Sequence, residues 1–576
     1  MDAFLVQINA ILWHDYVLYI MVVTGLTFTI WSGFSQYRAL THGVTVIRGR
    51  YDDPDDPGAI NHFQALSTAL SATVGLGNIG GVAIAISLGG PGAVFWMWVI
   101  GFLGMATKMT EVTLSMLYRN TEDSDNPHGG PMYVVSKGLV WRFPRFGKLG
   151  NILGGLFCIT CLIMAATGGN MFQAWNAGTI TEAYFGIPSV ATGIVLAIIV
   201  GMVIIGGIKR IGSVTGRLVP IMVVLYLLAA FYVLAVNFSQ IPDIFRLIFQ
   251  GAFSTLDASG AFIGGTMGYA FLFGMKRAIF SNEAGQGTSP IAHSAVKTNE
   301  PVREGIVAGL EPFLDTIVVC TLTALVILGT GVWQRGAEAV LIDDPVVVQT
   351  AEGGWTVNST RITERTDGDF VPGDNVFLIA HADANPSSGN NMHRIDGQIV
   401  IAANSDVYVE WSTLNTETRP QIYDQGVYMS YVGATLTAKA FDTIAPGLGK
   451  WLLTLSVWLF AISTMIAYSY YGEQAMVYLL GEQSVMAYKV IYCLLAVIAT
   501  AGFLQTDAQL DNLTGFGTGV MLFVNVPIMW LFGSQAMRAY KEYVGRLDSG
   551  RMEAGHAPPS IEDLISGRDI EPQDRN

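Results

Sequence analysis

Four glycines lie close together in the middle of an apolar stretch, at Gly75, Gly77, Gly80 and Gly81. Glycine weakens a helix interior, and unwound backbone inside a membrane is tolerated only where it lines an enclosed cavity or meets a ligand. Half-helix N-termini present N–H groups to a carboxylate, and exposed carbonyls present oxygens to a small hard cation. The cluster therefore predicts a site for a zwitterionic amino acid and Na⁺, with close helix packing through small residues as the alternative.

A second glycine-rich group follows five predicted helices later, in a span of opposite direction. It contains Gly264, Gly265, Thr266 and Gly268, followed by Phe271. Phe271 is interpreted either as an apolar wall that limits side-chain size or as ordinary helix packing. Paired broken helices at corresponding positions of two halves are typical of transporters built from an inverted repeat. We therefore predict a second broken helix here, with the site at the repeat interface.

The elements that must position these residues are membrane-spanning helices. The chain is 51% apolar and 13% charged, a composition typical of membrane proteins. Apolar segments long enough to cross a hydrocarbon core of about 30 Å recur along the chain. We predict an all-α polytopic protein with about eleven spans, at residues 13–33, 62–88, 92–117, 151–175, 189–208, 214–237, 259–280, 305–333, 450–480, 484–503 and 511–535.

Charged residues predict the orientation and the domain boundaries. Lys and Arg concentrate in alternate short loops, which predicts an external N-terminus, a cytoplasmic C-terminus and a place in the cytoplasmic membrane. One acidic loop contains alternating strand-like runs, which predicts an exported β-rich insert. The predicted division is an extra helix in 1–37, core helices in 38–333, the insert in 334–427, core helices in 428–539 and a disordered cytoplasmic tail in 540–576.

Other function classes find little support in the sequence. The basic residues form no stripe with interleaved aromatics, so no nucleic-acid partner is expected. An enzyme with the insert as its catalytic part is the rival class, but the chain has no GxSxG or HExxH motif, and no organic cofactor is expected. A conductive channel is the third class, and paired interruptions buried in the membrane favour an occluded site over a continuous pore.

Several long motifs resemble one known family. The stretch from Asn78 to Gly104 contains Gly89-Gly90-Pro91-Gly92-Ala93-Val94-Phe95-Trp96-Met97-Trp98, and it closely resembles the signature of the sodium:alanine (alanine or glycine:cation) symporters. Residues 276–285, 287–293 and 206–211 resemble the same family. This resemblance implies a leucine-transporter-like fold of five helices plus five inverted helices, and Na⁺-coupled symport of small neutral amino acids such as alanine or glycine. The insert departs from the family pattern.

The resemblance also implies sodium ligands. Residues 74–78 are similar to the unwound segment of the neurotransmitter:sodium symporters, so the carbonyls of Ser71 and Val74 would face a sodium ion held also by the hydroxyls of Ser463 and Thr464. Bonding of these hydroxyls to their own helix is the alternative.

A second sodium site would use Asn78 and Thr266, with Asp315 or Glu311 as an anionic ligand. These carboxylates are equally suited to pairing with a lysine or to binding protons, so proton coupling remains an alternative.

The amides of Asn170 and Gln173 would reach the pocket in that fold, where they would orient the substrate, or would bond between neighbouring helices. The predicted substrate contacts are Thr73, Gly75, Leu76, Gly77, Asn78, Asn170, Gln173, Gly264, Gly265, Thr266, Gly268 and Phe271. Lys108 and Glu111, at i and i+3, are expected to pair as a tether or gate near the inner surface. Asn282 and Glu283 are expected to belong to an inner gate.

Overall fold

The computed structural model describes residues 2–351, 353–366, 368–385, 389–402, 405–431, 433–502, 507–552 and 559–567. It is mostly helical, as predicted, because the long apolar runs satisfy their backbone groups within each segment. The α-helices are Asp2–Leu12, Asp15–Trp31, Ser35–Arg38, Val44–Ile47, His62–Thr73, Val82–Gly89, Gly92–Tyr118, Pro131–Arg142, Gly147–Ala166, Phe172–Phe185, Ser189–Ile204, Gly207–Val236, Ile241–Phe253, Met267–Asn282, Ser289–His293, Pro301–Ala308, Thr321–Gly329, Ala434–Ile444, Leu448–Leu480, Val485–Thr500, Asp507–Asp548 and Ile561–Ser566.

Eight helices in the described part of the chain are long and apolar enough to cross a membrane, and nine if one bent pair counts as a single span. The predicted segments at 189–208 and 259–280 form helices of 16 residues, Ser189–Ile204 and Met267–Asn282. A polytopic helical protein is therefore confirmed. The count of eleven spans and the inverted repeat stay predictions.

The first predicted interruption is present. An N-terminal capping box formed by Asn61 and Gln64 starts the helix His62–Thr73, and Val74 then adopts an extended conformation. A wide helical turn follows over Gly77–Gly81 and leads into Val82–Gly89. The two halves are bent by 53°. We call His62–Thr73 and Gly77–Gly89 together the broken helix.

The second interruption differs from the prediction. Gly264 and Gly265 lie in a non-helical segment, where Gly265 pairs with Leu256 in an antiparallel bridge. Thr266 caps the helix Met267–Asn282, its hydroxyl accepting a hydrogen bond from the N–H of Tyr269. Gly264–Phe271 is therefore the start of a helix rather than a break within one.

The break lies instead at the other end of that helix, between Asn282 and Ser289. Glu283, Gly285 and Gly287 have φ values of 53°, 86° and 85°, which end the helix in the left-handed region. The short helix Ser289–His293 follows. A left-handed residue stops a helix more strictly than a glycine in a helical conformation does, and the sequence does not show which glycines adopt a positive φ.

The insert is β-rich, as predicted. Its strands are β1 Ala339–Val340, β2 Val347–Gln349, β3 Trp355–Val357, β4 Thr360–Arg361, β5 Asn375–His381, β6 Met392–Ile401, β7 Val407–Trp411, β8 Gln421–Ile422 and β9 Gly426–Met429. The main sheet has the order β1-β9-β5-β6-β7-β4, with β8 paired to β5, while β2 and β3 form a separate hairpin. Alternating apolar side chains, including Leu378, Ile395 and Val409, form its core.

The insert packs on the segment that precedes the helix Met267–Asn282. Asn390 Nδ2 donates to the carbonyl of Ile263 at 2.7 Å, and Arg394 Nη2 donates to the carbonyl of Ala261 at 3.2 Å. Burial at this contact lowers the pKa of Arg394 to about 10. The last long helix extends to Asp548, and Ile561–Ser566 is also helical. Disorder of the tail stays a prediction, and residues 553–558 and 568–576 lie outside the described residues.

Candidate functional site

A cavity of about 430 Å³ lies where the two interruptions meet. The broken helix lines one side through Thr73, Gly75, Leu76 and Gly77. All four were predicted substrate contacts. The opposite wall contains the end of the helix Met267–Asn282 and the break after it. The remaining lining residues include Gln173, Arg277, Phe280, Ser281, Glu283, Gln286, Thr464, Tyr468, Thr514 and Thr518.

Three buried residues at one end of the cavity bring neutral oxygens together. The carbonyl oxygen of Ser71 lies 3.1 Å from Thr464 Oγ1 and 3.5 Å from Ser463 Oγ. Ser71 Oγ in turn donates to the carbonyl of Ser463 at 2.6 Å. Ser463 also donates to the carbonyl of Phe460 at 3.0 Å, so the bond to its own helix coexists with the contact across to the broken helix.

Val74 follows Ser71 in the chain, at the end of the first half of the broken helix. It is buried and extended, and its N–H donates to the carbonyl of Leu70 at 2.7 Å. A Cβ added at the neighbouring Gly75 would lie 3.4 Å from Thr464 Oγ1, which shows how closely the unwound backbone approaches that hydroxyl. Hard, uncharged oxygens in such a cluster are the ligand type that Na⁺ prefers. We call Ser71, Val74, Ser463 and Thr464 the hydroxyl cluster.

Asn78 is buried behind the cavity rather than in its wall. Its Oδ1 accepts a hydrogen bond from the N–H of Gly75 at 2.9 Å, which holds the unwound backbone. Its Nδ2 donates to Ser281 Oγ at 3.0 Å and to a carboxylate oxygen of Asp315. Asn78 therefore joins the two broken elements.

The two predicted amides of the neighbouring helix have different positions. Gln173 lines the cavity, and its Nε2 donates to the carbonyl of Gly168 at 3.1 Å. Asn170 is buried away from the cavity lining and donates to the carbonyl of Tyr492 at 2.6 Å. Gln173 thus faces the cavity, whereas Asn170 makes the contact between neighbouring helices that was the alternative.

The residues around Thr266 lie elsewhere. Thr266, Gly268 and Phe271 line a second cavity of about 280 Å³, together with Asp15 and Tyr19 of the first long helix. Gly264 and Gly265 precede it in the non-helical segment. The predicted pairing of Thr266 with Asn78 is not formed, because Thr266 caps one end of a helix of 16 residues and Asn78 contacts Ser281 at the other end.

Two of the four predicted gate residues, Lys108 and Glu111, belong to a buried ionic network. Lys108 Nζ lies 3.8 Å from Glu111 Oε1 and 3.2 Å from Glu311 Oε2. Glu311 Oε1 lies 2.6 Å from His293 Nε2. The network continues from His293 to Glu304, from Glu304 to His62, and from His62 to the partly exposed Asp52 at 3.8 Å. We call these residues the ionic network.

Two contacts attach the second break to this network. Glu111 Oε2 accepts hydrogen bonds from the N–H of Gly285 at 3.1 Å and from Asn525 Nδ2 at 3.0 Å. Asn282 lies beside it, where Nδ2 donates to Thr316 Oγ1 at 3.3 Å and Oδ1 accepts from the N–H of Ala284 at 3.0 Å. The network therefore holds the Asn282–Ser289 segment against the helix Gly92–Tyr118.

Sequence reasoning missed Arg277 as a cavity residue and placed Glu283 only at a gate. Among the described residues that line the cavity, these two carry the charged side chains. Glu283 is 3% exposed and accepts hydrogen bonds from Thr288 Oγ1 at 2.5 Å and from the Tyr468 hydroxyl. The only available signal was their place in the motif Lys276 to Gly285, just before the two left-handed glycines.

Comparisons with known proteins agree on one family. The family described as the sodium:alanine symporter family matches residues 1–356 and 399–557. Residues 357–398, which lie inside the insert, are outside the match. The sodium/alanine symporter AgcS of Methanococcus maripaludis is 35% identical over 489 residues, which cover 85% of this chain and 86% of that protein.

Two further likenesses have different strengths. A protein of Haemophilus influenzae named "Uncharacterized transporter" is 30% identical over 550 residues, which cover 95% of this chain and 97% of that protein. The crystal structure of MhsT in complex with L-phenylalanine is similar with a TM-score of 0.49 and 13% identity, covering 84% of this chain and 92% of that chain.

Proposed function

This chain belongs to the sodium:alanine symporter family, and on that premise we propose that it takes up a small neutral amino acid, such as alanine or glycine, together with Na⁺. Membership makes it an amino-acid:cation symporter and a multi-pass membrane protein rather than an enzyme. The identity of the cation and of the amino acid is the part that we propose.

The observation that carries the proposal is the hydroxyl cluster at the cavity. Two hydroxyls of the helix Leu448–Leu480 each lie within 3.5 Å of one carbonyl oxygen of the broken helix. Thr464 also lines the cavity, so an ion held here would lie beside the substrate. Because the ligands are neutral, the ion brings the only charge to the cluster and can leave again without stranding a buried carboxylate.

The cluster also suggests how ion and substrate are coupled. A sodium ion bridging Ser71 and Thr464 would fix the broken helix against the helix Leu448–Leu480. The N–H groups at the start of the second half-helix, at Leu76 and Gly77, would then be held at the cavity for the substrate. In this mechanism Na⁺ favours the state open to the outside, and substrate binding permits closure and rocking to the state open to the inside.

We further propose that the protein lies in the cytoplasmic membrane with its N-terminus outside and its C-terminus inside. The support is the distribution of Lys and Arg among the short loops. In this orientation the insert is exported, and the loop that contains Asp52 faces the cytoplasm.

Uptake of radiolabelled alanine and glycine into proteoliposomes tests the proposal. We expect concentrative uptake with an inward Na⁺ gradient and little uptake when K⁺ replaces Na⁺, at every pH of a series from acidic to alkaline. Uptake driven by a proton gradient without Na⁺ would favour the alternative of proton coupling. Failure to transport either amino acid in any gradient would contradict the proposed substrates.

A further inference from the structure

Arg277 and Glu283 have opposite charges and lie in the wall of the cavity, six residues apart in sequence. We infer that they form a clamp for the zwitterionic head of the substrate, with Arg277 holding the α-carboxylate and Glu283 holding the α-ammonium. This inference rests on the proposed function and adds the residues that recognise the amino acid. It differs from recognition by backbone groups and sodium alone.

Arg277 lies directly on the glycines of the broken helix. A Cβ added at Gly81 would lie 1.8 Å from Arg277 Cζ, and one added at Gly77 would lie 2.4 Å from Arg277 Nη2. Only glycine at these two positions leaves room for the guanidinium, which also lies over the ring of Phe280 at 5.5 Å. The guanidinium thus reaches the positive end of the second half-helix, and both favour a carboxylate at that place.

Glu283 provides the opposite polarity. It caps the C-terminal end of the helix Met267–Asn282, where the last carbonyls add partial negative charge. Its carboxylate accepts hydrogen bonds from two neutral hydroxyl groups, those of Tyr468 and Thr288. Among the described residues, no basic side chain forms an ion pair with Glu283. A buried carboxylate with neutral partners favours an added cation, and the substrate ammonium fits that need.

The neighbouring charges have their own partners. Lys108 interacts electrostatically with Glu283, but its Nζ lies 3.2 Å from Glu311 and is engaged in the ionic network. Asp315 interacts electrostatically with Arg277, but its carboxylate accepts hydrogen bonds from Asn78, Ser281 and Thr316 and does not line the cavity. Neither neighbour takes the place that the clamp assigns to the substrate.

Both charged side chains line the same cavity, so a small molecule that carries both signs of charge can meet both of them. The clamp therefore holds the head group that all α-amino acids share, and it leaves the side chain to the other residues of the cavity.

The test compares alanine with two analogues that each lack one charge. Alaninamide keeps the ammonium and lacks the carboxylate, whereas lactate keeps the carboxylate and lacks the ammonium. Their inhibition of Na⁺-driven alanine uptake is measured for wild type, Arg277→Gln and Glu283→Gln. We expect Arg277→Gln to weaken the binding of alanine at least tenfold, while the inhibition constant of alaninamide stays unchanged. Glu283→Gln should weaken the binding of alanine at least tenfold, while the inhibition constant of lactate stays unchanged.

Matched variants control for loss of charge and of fold. Lys276→Gln removes the charge next to Arg277 but outside the cavity lining, and Glu473→Gln removes a largely buried carboxylate that pairs with Lys489 at 2.9 Å. Both should leave the ratio of alanine to analogue affinity unchanged. Arg277→Lys and Glu283→Asp keep the charges and should restore part of the discrimination if the glutamine variants prove too unstable to assay.

The outcomes separate the clamp from the proposed function. If wild type transports alanine, and if each glutamine variant loses affinity for alanine and for both analogues by the same factor, the clamp is wrong and the symport proposal stands. The clamp is also wrong if either glutamine variant binds alanine as tightly as wild type does. If wild type transports no alanine with Na⁺, the proposed function itself fails.

Discussion

Two polar clusters lie buried in the membrane part of the protein, and they are built on opposite chemistry. The hydroxyl cluster consists of neutral carbonyl and hydroxyl oxygens beside the cavity. The ionic network consists of lysine, glutamate and histidine side chains that face one another, and it ends at the partly exposed Asp52. Permanent charges inside a membrane are costly unless they are paired, whereas neutral oxygens remain acceptable with or without an ion. A site that must bind and release a cation is therefore better made from neutral groups.

Because of this difference, the two regions have different roles. In the ionic network the protein supplies both signs of charge, so the network holds elements together: the helix Gly92–Tyr118, the second break, the helix Pro301–Ala308 and the start of the broken helix. In the hydroxyl cluster the protein supplies only uncharged groups, which leaves the positive charge to the transported ion. Variants that disturb each region should accordingly affect different properties.

The largest effect is expected from Lys108→Met. It leaves the carboxylates of Glu111 and Glu311 buried without their lysine, and removal of one partner from a buried ion pair costs about 3–5 kcal/mol. Thermal unfolding in detergent should show a large loss of stability. An unfolding temperature equal to that of wild type would mean that the network does not hold these helices together.

A neutral histidine outside the spans offers an intermediate test. Burial and the nearby Arg303, Arg38 and Arg50 lower the pKa of His42 from 6.5 to about 4. The folded state disfavours protonation of His42. The stability that neutral His42 contributes is therefore fully present above pH 6.5, and it is lost as the pH falls toward 4. Over this range the free energy of unfolding should fall by about 2 kcal/mol more in wild type than in His42→Gln. The exposed His381→Gln should keep the wild-type pH profile, and identical profiles for all three proteins would contradict this interpretation.

Substitutions in the hydroxyl cluster should change the affinity for Na⁺ rather than the stability of the protein. The double substitution Ser463→Ala with Thr464→Ala should raise the Na⁺ concentration for half-maximal uptake about tenfold, or about 1.4 kcal/mol. Ser469→Ala is the matched control, because Ser469 lies on the same helix and its hydroxyl donates to the backbone carbonyl of Ile466 in that helix. An equal change for Ser469→Ala would show that helix packing, and not ion binding, is affected.

The smallest effect is expected at the surface. Arg38 and Asp548 form an ion pair with N–O distance 2.7 Å, and both side chains are partly exposed. Such pairs contribute at most about 1 kcal/mol, so Arg38→Gln should unfold almost as wild type does. A loss comparable to that of Lys108→Met would remove the contrast between buried and exposed charges.

Features that depend on neighbouring residues were predictable from the sequence, and one long-range contact was implied by the family resemblance. The run of glycines from Gly75 to Gly81 indicated an unwound helix, and the structure bends there. The β-rich insert followed from its alternating runs. The resemblance to known symporters paired Ser71 with Ser463 and Thr464, nearly four hundred residues apart, and the structure brings them together.

Features that depend on backbone conformation or on distant packing were not predictable. The glycines at 264 and 265 suggested a break, but they precede a helix, whereas Glu283 ends that helix in the left-handed region and Gly285 and Gly287 follow at positive φ. Asn170 bonds to Tyr492 rather than facing the cavity. His62, His293 and Glu304 carry no local signal of their contacts, because a single sequence does not reveal which distant charges meet.

Simultaneous measurement of radioactive sodium and radiolabelled alanine entering the same proteoliposomes tests the central claim most directly. We predict that alanine accelerates sodium influx in a fixed ratio, and that the double substitution at Ser463 and Thr464 lowers both fluxes together at limiting sodium. Full alanine influx with no accompanying sodium influx would contradict the claim that the neutral oxygens of the hydroxyl cluster hold the coupling ion.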